Sequence, residues 1–178
     1  MSDFFDPKPI PRQDPRLPAE LPHLVGAMNL SGPRGLCFHR AVAFVLDVGP
    51  PNPATLVIGR IREANDEERA VLGPDASPTP FIHAWCEWRG EIFAPTVIER
   101  AGGLFAVPRE LYINRNGAKV LATMTRGDIK RLDREFGFSA HLRKFKPLRG
   151  NASFGSILLE RAGVAWRDNG LGGVEAID

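Results

Sequence analysis

The sequence predicts an α+β fold in which one helix packs against an antiparallel sheet. Residues 36–47 carry apolar side chains on nearly every side, which favours a helix buried by neighbours on several sides. Residues 81–88 and 91–97 flank Arg89 and Gly90, the pattern of a β-hairpin closed by a two-residue turn. The chain has 178 residues, of which 43% are hydrophobic, enough for one well-buried core.

The two ends of the chain are predicted to lie outside that core. Proline is concentrated near the N-terminus, where it resists helix formation and cannot donate to a β-ladder. We therefore interpret residues 1–25 as an extended arm and residues 26–168 as a single domain. Residues 169–178 have few apolar side chains to bury, so we predict a flexible tail there.

The remaining elements of the domain follow from local signals. The helix over 36–47 ends at Gly49 and the two prolines after it, and residues 54–61 form a strand because they are rich in β-branched and aliphatic side chains. After these we predict a short acidic helix beginning near Asn65, the hairpin, strands over 104–107 and 118–123, a helix starting at Thr125 and ending at Gly137, and a last helix over 154–162.

Charge is close to balanced overall but is locally basic in one stretch. The net charge is +2, whereas residues 125–149 hold eight Lys or Arg against three acids. This stretch is interpreted as a solvated helix face whose phenylalanines belong to the core; binding of nucleic acid or of an acidic partner is the alternative. The basic candidates are Arg126, Lys130, Arg131, Arg134, Arg143, Lys144 and Lys146.

The chain carries no sequence signal for a membrane or for secretion. No apolar run approaches the roughly 20 residues that span a bilayer, and the N-terminus lacks the basic flank and apolar centre of a signal peptide. We therefore expect a cytoplasmic protein that makes no membrane contact. Cys37 and Cys86 are expected to be free thiols, because a domain of this size needs no disulfide in that compartment.

Cys37 and His83 are the residues that point to chemistry. Cys37 falls in the first turn of its predicted helix, where unpaired N–H groups and the helix dipole stabilise a thiolate. We expect His83 to face this helix from the sheet and to form an ion pair with the thiolate. The thiolate would attack a carbonyl group, and the imidazolium would protonate the leaving group. The alternative is a buried structural cysteine with an unrelated half-buried histidine.

A zinc site is the other chemistry that these residue types allow. Cys37, His39, His83 and Cys86 together supply two sulfurs and two imidazoles. However, residues 83 and 86 point to opposite faces of a strand, and residues 37 and 39 lie about 200° apart on a helix. We therefore predict no metal, and no cofactor, since the glycine-rich stretches lack a phosphate-binding context.

The sequence motifs around Cys37 and His83 resemble those of a known superfamily. Gly35 to Ala41 read GLCFHRA, His83 to Glu87 read HAWCE, and Ala94-Pro95-Thr96 follows on the next strand. This pattern, over about residues 34–97, is similar to the transglutaminase-like branch of papain-like cysteine proteins. It is closest to the small bacterial members that include the leader peptidases of lasso-peptide (microcin) maturation.

The resemblance implies a papain-like fold and assigns roles to three residues. Cys37 would be the nucleophile and His83 the general base, with Trp85 packed beside the histidine. Apart from the resemblance, we expect an oxyanion to be bound by the Cys37 backbone N–H and by a group from the segment Asn29 to Arg34, which approaches the same helix end. Asn29 and Trp85 are therefore the cleft candidates.

One departure from the pattern leaves the triad incomplete. The superfamily has an orienting aspartate where this chain has Ala94, and the hairpin register pairs His83 with Thr96. The acceptor candidates are Thr96, Glu99, Asn114 and Asn116. Loss of an orienting acid can cost about four orders of magnitude in rate, so a weakened or inactive site is a second interpretation.

From these observations we predict a cysteine-dependent hydrolase or acyl transferase that acts on an amide or isopeptide bond of a peptide or protein through a thioester. The alternative is a catalytically weakened or inactive transglutaminase-like protein that binds a protein or nucleic acid. The substrate, the direction of transfer and the oligomeric state are left open by the sequence.

Overall fold

The protein is a mixed α and β molecule with an antiparallel sheet and packed helices, as a computed structural model describes it over residues 8–10, 37–61, 81–93, 104–144, 148, 153–168 and 174–177. In chain order the elements are β1 (Lys8–Ile10), α1 (Cys37–Asp47), β2 (Thr55–Ile61), β3 (Phe81–Trp88), β4 (Glu91–Phe93), β5 (Leu104–Pro108), α2 (Arg109–Asn116), β6 (Lys119–Met124), α3 (Arg126–Phe136), α4 (Phe138–Lys144), α5 (Phe154–Arg161), β7 (Trp166–Asp168) and β8 (Val174–Ala176).

The predicted hairpin forms the centre of the main sheet, whose strand order is β1-β5-β4-β3-β2-β6. Arg89 and Gly90 both have positive φ angles, 53° and 78°, as a two-residue hairpin turn requires. Trp88 pairs with Glu91 and Cys86 with Phe93, so the register predicted from the turn is confirmed over the described residues. The pairing predicted for Ala94 and Thr96 lies outside them.

Helix α1 packs on one face of this sheet and forms the larger core. Its residues Ala41, Val42 and Val45 are fully buried. Ala84 and Cys86 of β3 belong to the same core cluster, and the Cys86 thiol donates a hydrogen bond to the Ala41 carbonyl at 3.2 Å. The prediction that a cysteine-bearing helix packs on an antiparallel sheet is therefore confirmed.

The opposite face of the sheet carries a second, smaller core. It contains Val57 and Ile61 of β2, Trp85 of β3, Ile92 of β4 and Tyr112 of α2. Because side chains alternate between the faces of a strand, β3 contributes to both cores at once.

Helix α3 begins and ends where the sequence predicts. Thr125 and Asp128 form a reciprocal capping box, and Gly137 adopts a left-handed conformation at the C-terminus. Ile129 and Leu132 are buried on its inner face. The strands predicted over 104–107 and 118–123 and the helix predicted over 154–162 are also present as β5, β6 and α5.

Helices α2 and α4 were not predicted, because their short sequences lack a clear apolar stripe. The prediction of a flexible tail is wrong for residues 174–176, which form β8, pair with β7 and contact β3. Backbone hydrogen bonds do not need the apolar side chains whose absence led to that prediction. In the predicted arm, residues 8–10 are indeed extended and pair with β5. The acidic helix predicted near Asn65 lies outside the described residues.

None of the helices in the described part of the chain is long and apolar enough to cross a membrane.

Candidate functional site

Cys37 is the first residue of α1 and its thiol is close to three backbone N–H groups. Those of Cys37 itself and Phe38 belong to the first turn of the helix, and the third comes from Ala84 of β3. The first two are the unpaired donors that every helix N-terminus presents, as the sequence analysis expected. The third shows that the helix start abuts the strand that carries His83.

Ala84 follows His83 in β3, whose neighbours in the sheet are β2 and β4. Among the described residues, the pairing of β3 with β4 covers Cys86, Glu87 and Trp88. On its other side β3 is paired with β2 along its whole length, Ala84 lying opposite Ile58. Cys37 therefore lies beside β3, one residue along the strand from His83.

The protonation state of Cys37 differs from the predicted one. Cys37 is half-buried as a residue, and burial of its thiol raises the pKa above the ordinary value. The three N–H groups and the charge of the nearby Arg40 act in the opposite direction but are outweighed. The prediction of a stabilised resting thiolate is thus wrong, because desolvation exceeds the helix-terminus effect.

His83 is likewise held in its neutral form. Its side chain is only 2% exposed, and burial lowers its pKa from 6.5 to about 4. At neutral pH the resting site therefore contains a thiol and a neutral imidazole, and the predicted ion pair is absent from this state.

His83 does not face α1, which corrects a second expectation. Ala84 and Cys86 point toward the helix, so His83 and Trp85 point to the other face by alternation. The two rings stack there with centroids 6.3 Å apart and an interplanar angle of 27°. Cys37 thus contacts the backbone of Ala84, the residue next to His83, whereas the His83 side chain lies on the sheet face away from α1.

Trp85 also contacts Tyr112, a residue that the sequence analysis did not select. The two ring centroids are 5.5 Å apart, and the charge of Cys37 contributes to raising the Tyr112 pKa after the larger effect of burial. Tyr112 belongs to α2, which was not predicted, so its placement beside the site could not be read from the sequence. Its being the single tyrosine of the chain was the only available signal.

Two of the four candidate acceptors for the His83 ring lie in the described part of the chain. The Asn116 side chain donates to the Tyr112 carbonyl and caps its own helix, and Asn114 is exposed. Thr96 and Glu99, like the cleft candidate Asn29, lie outside the described residues. None of the four orienting candidates is therefore confirmed.

The residues considered for zinc, Cys37, His39, His83 and Cys86, have different neighbours in the structure. His39 lies with its ring centroid 5.4 Å from that of His141 and 4.3 Å from that of Phe154, in contact with α4 and α5. The Cys86 thiol donates a hydrogen bond to the Ala41 carbonyl of α1. Over the described ranges, no three His, Cys, Asp or Glu side chains are arranged to hold a metal ion.

The basic stretch divides into an outer and an inner part. Lys130, Arg131 and Arg134 are exposed on the outward face of α3, and Arg143 is exposed on α4. Arg126 instead donates through Nη2 to the Leu46 carbonyl at 3.0 Å, so its assignment to an open patch is wrong. Lys144 lies in α4, and Lys146 lies outside the described residues.

Phe136 and Phe138 of this stretch pack in or against the core, as the preferred interpretation held, and Phe145 lies outside the described residues. Phe138 is fully buried and stacks on Phe154 with centroids 4.3 Å apart. Phe136 packs against the same core cluster. These two rings are therefore not available to stack on nucleic-acid bases.

Comparisons with family models, curated proteins and solved structures find no match for this chain.

Proposed function

We propose that the protein is a cysteine-dependent hydrolase or acyl transferase of papain-like, transglutaminase-like type, in which Cys37 is the nucleophile and His83 the general base. The observation that carries this proposal is the position of the Cys37 thiol, at the start of α1 and beside the backbone N–H of Ala84, the residue that follows His83. The resemblance of the sequence motifs around both residues to those of the transglutaminase-like superfamily supports the proposal.

The neutral resting state defines how the first step would run. The lowered pKa of His83 leaves its imidazole free of the proton that it must accept, and Cys37 still carries that proton. As the sulfur forms a bond to the carbonyl carbon of the substrate, the S–H proton moves to the imidazole. The C–N bond then breaks, the imidazolium protonates the departing amine, and a thioester remains.

The second step regenerates the enzyme by the same proton path. Water or an amine attacks the thioester carbon, and His83 takes the proton of the attacking group. The C–S bond breaks and the proton returns to the Cys37 sulfur. Water as the attacking group gives hydrolysis, and an amine gives acyl transfer.

Backbone donors near the sulfur suit the charge that develops in both steps. The carbonyl oxygen becomes an oxyanion when the sulfur adds to the neighbouring carbon. The N–H groups of Cys37, Phe38 and Ala84 already point toward the sulfur, so they are suited to serve this oxyanion. Such preorganised donors are typically worth about 10²–10³ in rate each.

Acylation by p-nitrophenyl acetate tests the nucleophile and the base without knowledge of the natural substrate. We expect the acetyl group on Cys37, found by peptide mass spectrometry, with a rate that falls at least tenfold in His83→Gln. Cys37→Ala should abolish it, and Cys86→Ala is the matched control because this thiol is buried and bonded to α1. Labelling of Cys37 at an equal rate with and without His83 would contradict the proposal.

A binding function for the outward face of α3 is the second candidate. Lys130, Arg131 and Arg134 project from the side opposite the buried Ile129 and Leu132. Cations on one helix face attract a polyanion, and such binding weakens steeply with salt. Because Phe138 is buried and Phe136 packs against the core, an acidic protein segment fits this face better than unpaired bases.

Fluorescence anisotropy with a labelled poly-glutamate peptide and a labelled oligonucleotide tests this candidate. We expect the peptide to bind at low salt, with at least a tenfold loss of affinity in the Lys130→Glu, Arg134→Glu double variant. Thr123→Glu, on the exposed part of β6, is the control for a change of charge elsewhere. Absence of peptide binding at low salt would exclude it, and tighter binding of the oligonucleotide would favour a nucleic-acid partner instead.

A further inference from the structure

We propose that the guanidinium of Arg40 is the counter-charge of the Cys37 nucleophile and stabilises the negative charge that forms on the sulfur when the S–H proton leaves. The inference rests on the proposed function, since it concerns the first step of that reaction. Arg40 acts through Cys37 and is therefore a positioning residue. The sequence analysis assigned it no role.

Arg40 belongs to the row of α1 side chains that faces β3. Residues three and four positions apart lie on one side of a helix, so Cys37, Arg40 and Phe44 form one row. At one end of this row the Cys37 thiol contacts the backbone N–H of Ala84, and at the other the Phe44 ring meets Trp88, with centroids 6.2 Å apart. Arg40 stands between these two contacts, less than one helical turn from the nucleophile.

The guanidinium is a permanent charge in a place with little water. Arg40 is only 4% exposed, although it carries a full positive charge. It also interacts with other groups, and its charge persists in such interactions because arginine does not deprotonate in proteins. Since little water screens this charge, it acts on a neighbouring ion more strongly than a surface arginine does.

The effect of this charge is felt at two residues in the same turn of the helix. Burial raises the pKa of Cys37, and the backbone N–H groups and the charge of Arg40 lower it in part. Arg40 is the side chain in this set and adds to what the helix start provides. The pKa of His39 is lowered to about 4 by burial first, and then by the charges of His141 and Arg40.

The proposed base lies on the other side of the strand from this cation. His83 points to the sheet face away from α1, and burial is the cause of its lowered pKa. A cation on the α1 side of β3 therefore favours the negative charge on the Cys37 sulfur more than it opposes the positive charge on the imidazole. This asymmetry is what a proton transfer from the thiol to His83 requires.

Other charged groups of the elements packed against α1 lie elsewhere. Glu87 of β3 points to the sheet face away from the helix, as alternation along the strand requires. His141 of α4 contacts His39, which lies on a different side of α1 from Cys37. Arg126 of α3 donates a hydrogen bond to the Leu46 carbonyl, near the other end of α1. Arg126 is therefore the matched control, a second arginine that contacts the same helix far from the thiol.

The pH profile of Cys37 alkylation by iodoacetamide tests the counter-charge without any acyl transfer, because the thiolate is the form that reacts. Peptide mass spectrometry separates Cys37 from Cys86. We expect Arg40→Gln and Arg40→Met to move the midpoint of the profile up by about one pH unit, because the thiolate loses its cation. Arg40→Lys keeps the charge and should keep the midpoint near that of the wild type. Arg126→Met should leave it unchanged.

A second measurement needs no neutral variant and therefore survives if Arg40→Gln and Arg40→Met do not fold. A buried cation beside the thiol attracts an anionic reagent. We expect the ratio of the Cys37 alkylation rates with iodoacetate and with iodoacetamide to exceed the same ratio for free cysteine by at least about twofold. Circular dichroism shows which variants fold.

The rate of acetylation by p-nitrophenyl acetate connects the counter-charge to the proposed reaction. We expect kcat to fall by about tenfold in Arg40→Gln, in proportion to the shift of about one pH unit. KM should change by less than about twofold, since the variant removes no group that binds the reagent. Arg40→Lys should recover most of the rate.

The outcomes distinguish this inference from the proposed function. An unchanged midpoint in a folded neutral variant, or a reagent ratio no higher than that of free cysteine, would overturn the counter-charge; the function would stand as long as His83→Gln still slows acetylation. A shifted midpoint together with an acetylation rate that does not depend on His83 would overturn the proposed function, and with it the catalytic meaning of Arg40.

Discussion

At the scale of single residues, burial decides the chemistry more strongly than local electrostatics. Cys37 has the helix-terminal N–H groups that favour a thiolate, and its pKa is nevertheless raised by desolvation. His83 shows the same effect with the opposite sign of charge. A site that rests in the neutral state must form its charges during the reaction, so the rate depends on how exactly the imidazole is placed.

The buried histidines predict how stability depends on pH. The pKa values of His83 and His39 are both lowered from 6.5 to about 4, mainly by burial. Between about pH 4 and pH 6.5, these two histidines are therefore protonated in the unfolded chain but neutral in the folded protein. The stability present above pH 6.5 is lost as the pH falls toward 4, by up to about 1.4 kcal/mol per pH unit for each histidine.

Urea unfolding between pH 7 and pH 4.5 measures this slope. We expect His39→Gln and His83→Gln each to make the free energy of unfolding less dependent on pH, and by similar amounts because both pKa values are lowered to about 4. A wild-type slope equal to that of the double variant would show that neither histidine is held neutral by the fold.

At the scale of elements, the best-predicted parts are those whose signals are local. Helix α3 begins at Thr125 because its hydroxyl accepts the Asp128 N–H while the Asp128 carboxylate accepts the Thr125 N–H. The Thr125 hydroxyl is also the main cause of the lowered pKa of Asp128. Helix α2 has no such side-chain cap, since Pro108 precedes it, and it was not predicted.

The cap of α3 predicts a measurable loss of stability. Thr125→Ala should lower the free energy of unfolding by about 1 kcal/mol, because the Asp128 N–H loses its side-chain acceptor. Thr125→Ser is the control, since it keeps a hydroxyl that can accept the same bond. Chemical denaturation of the three proteins provides the comparison, and equal stability of Thr125→Ala and wild type would show that the capping box contributes nothing.

At the scale of the whole molecule, the two faces of the main sheet pack against different parts of the chain. One face buries α1 and the larger core, and the other carries His83, Trp85 and Tyr112. Cys37, at the start of α1, contacts the backbone of Ala84 in β3, the strand that carries His83 and Trp85. Strand β8, which pairs with β7, also contacts β3. Strand β3 therefore packs against the C-terminal part of the chain, a contact that the sequence did not predict.

The sequence by itself determined the antiparallel hairpin and its register, the helix that begins at Cys37, and the selection of Cys37 and His83 as candidates. These follow from turn chemistry, apolar periodicity and residue type, which act over a few neighbouring positions. Only the tertiary structure decided which face His83 occupies relative to α1, that burial neutralises both groups, and that Tyr112 stands beside Trp85. Those features depend on which distant residues exclude water from a given atom, and no local pattern in the chain specifies that.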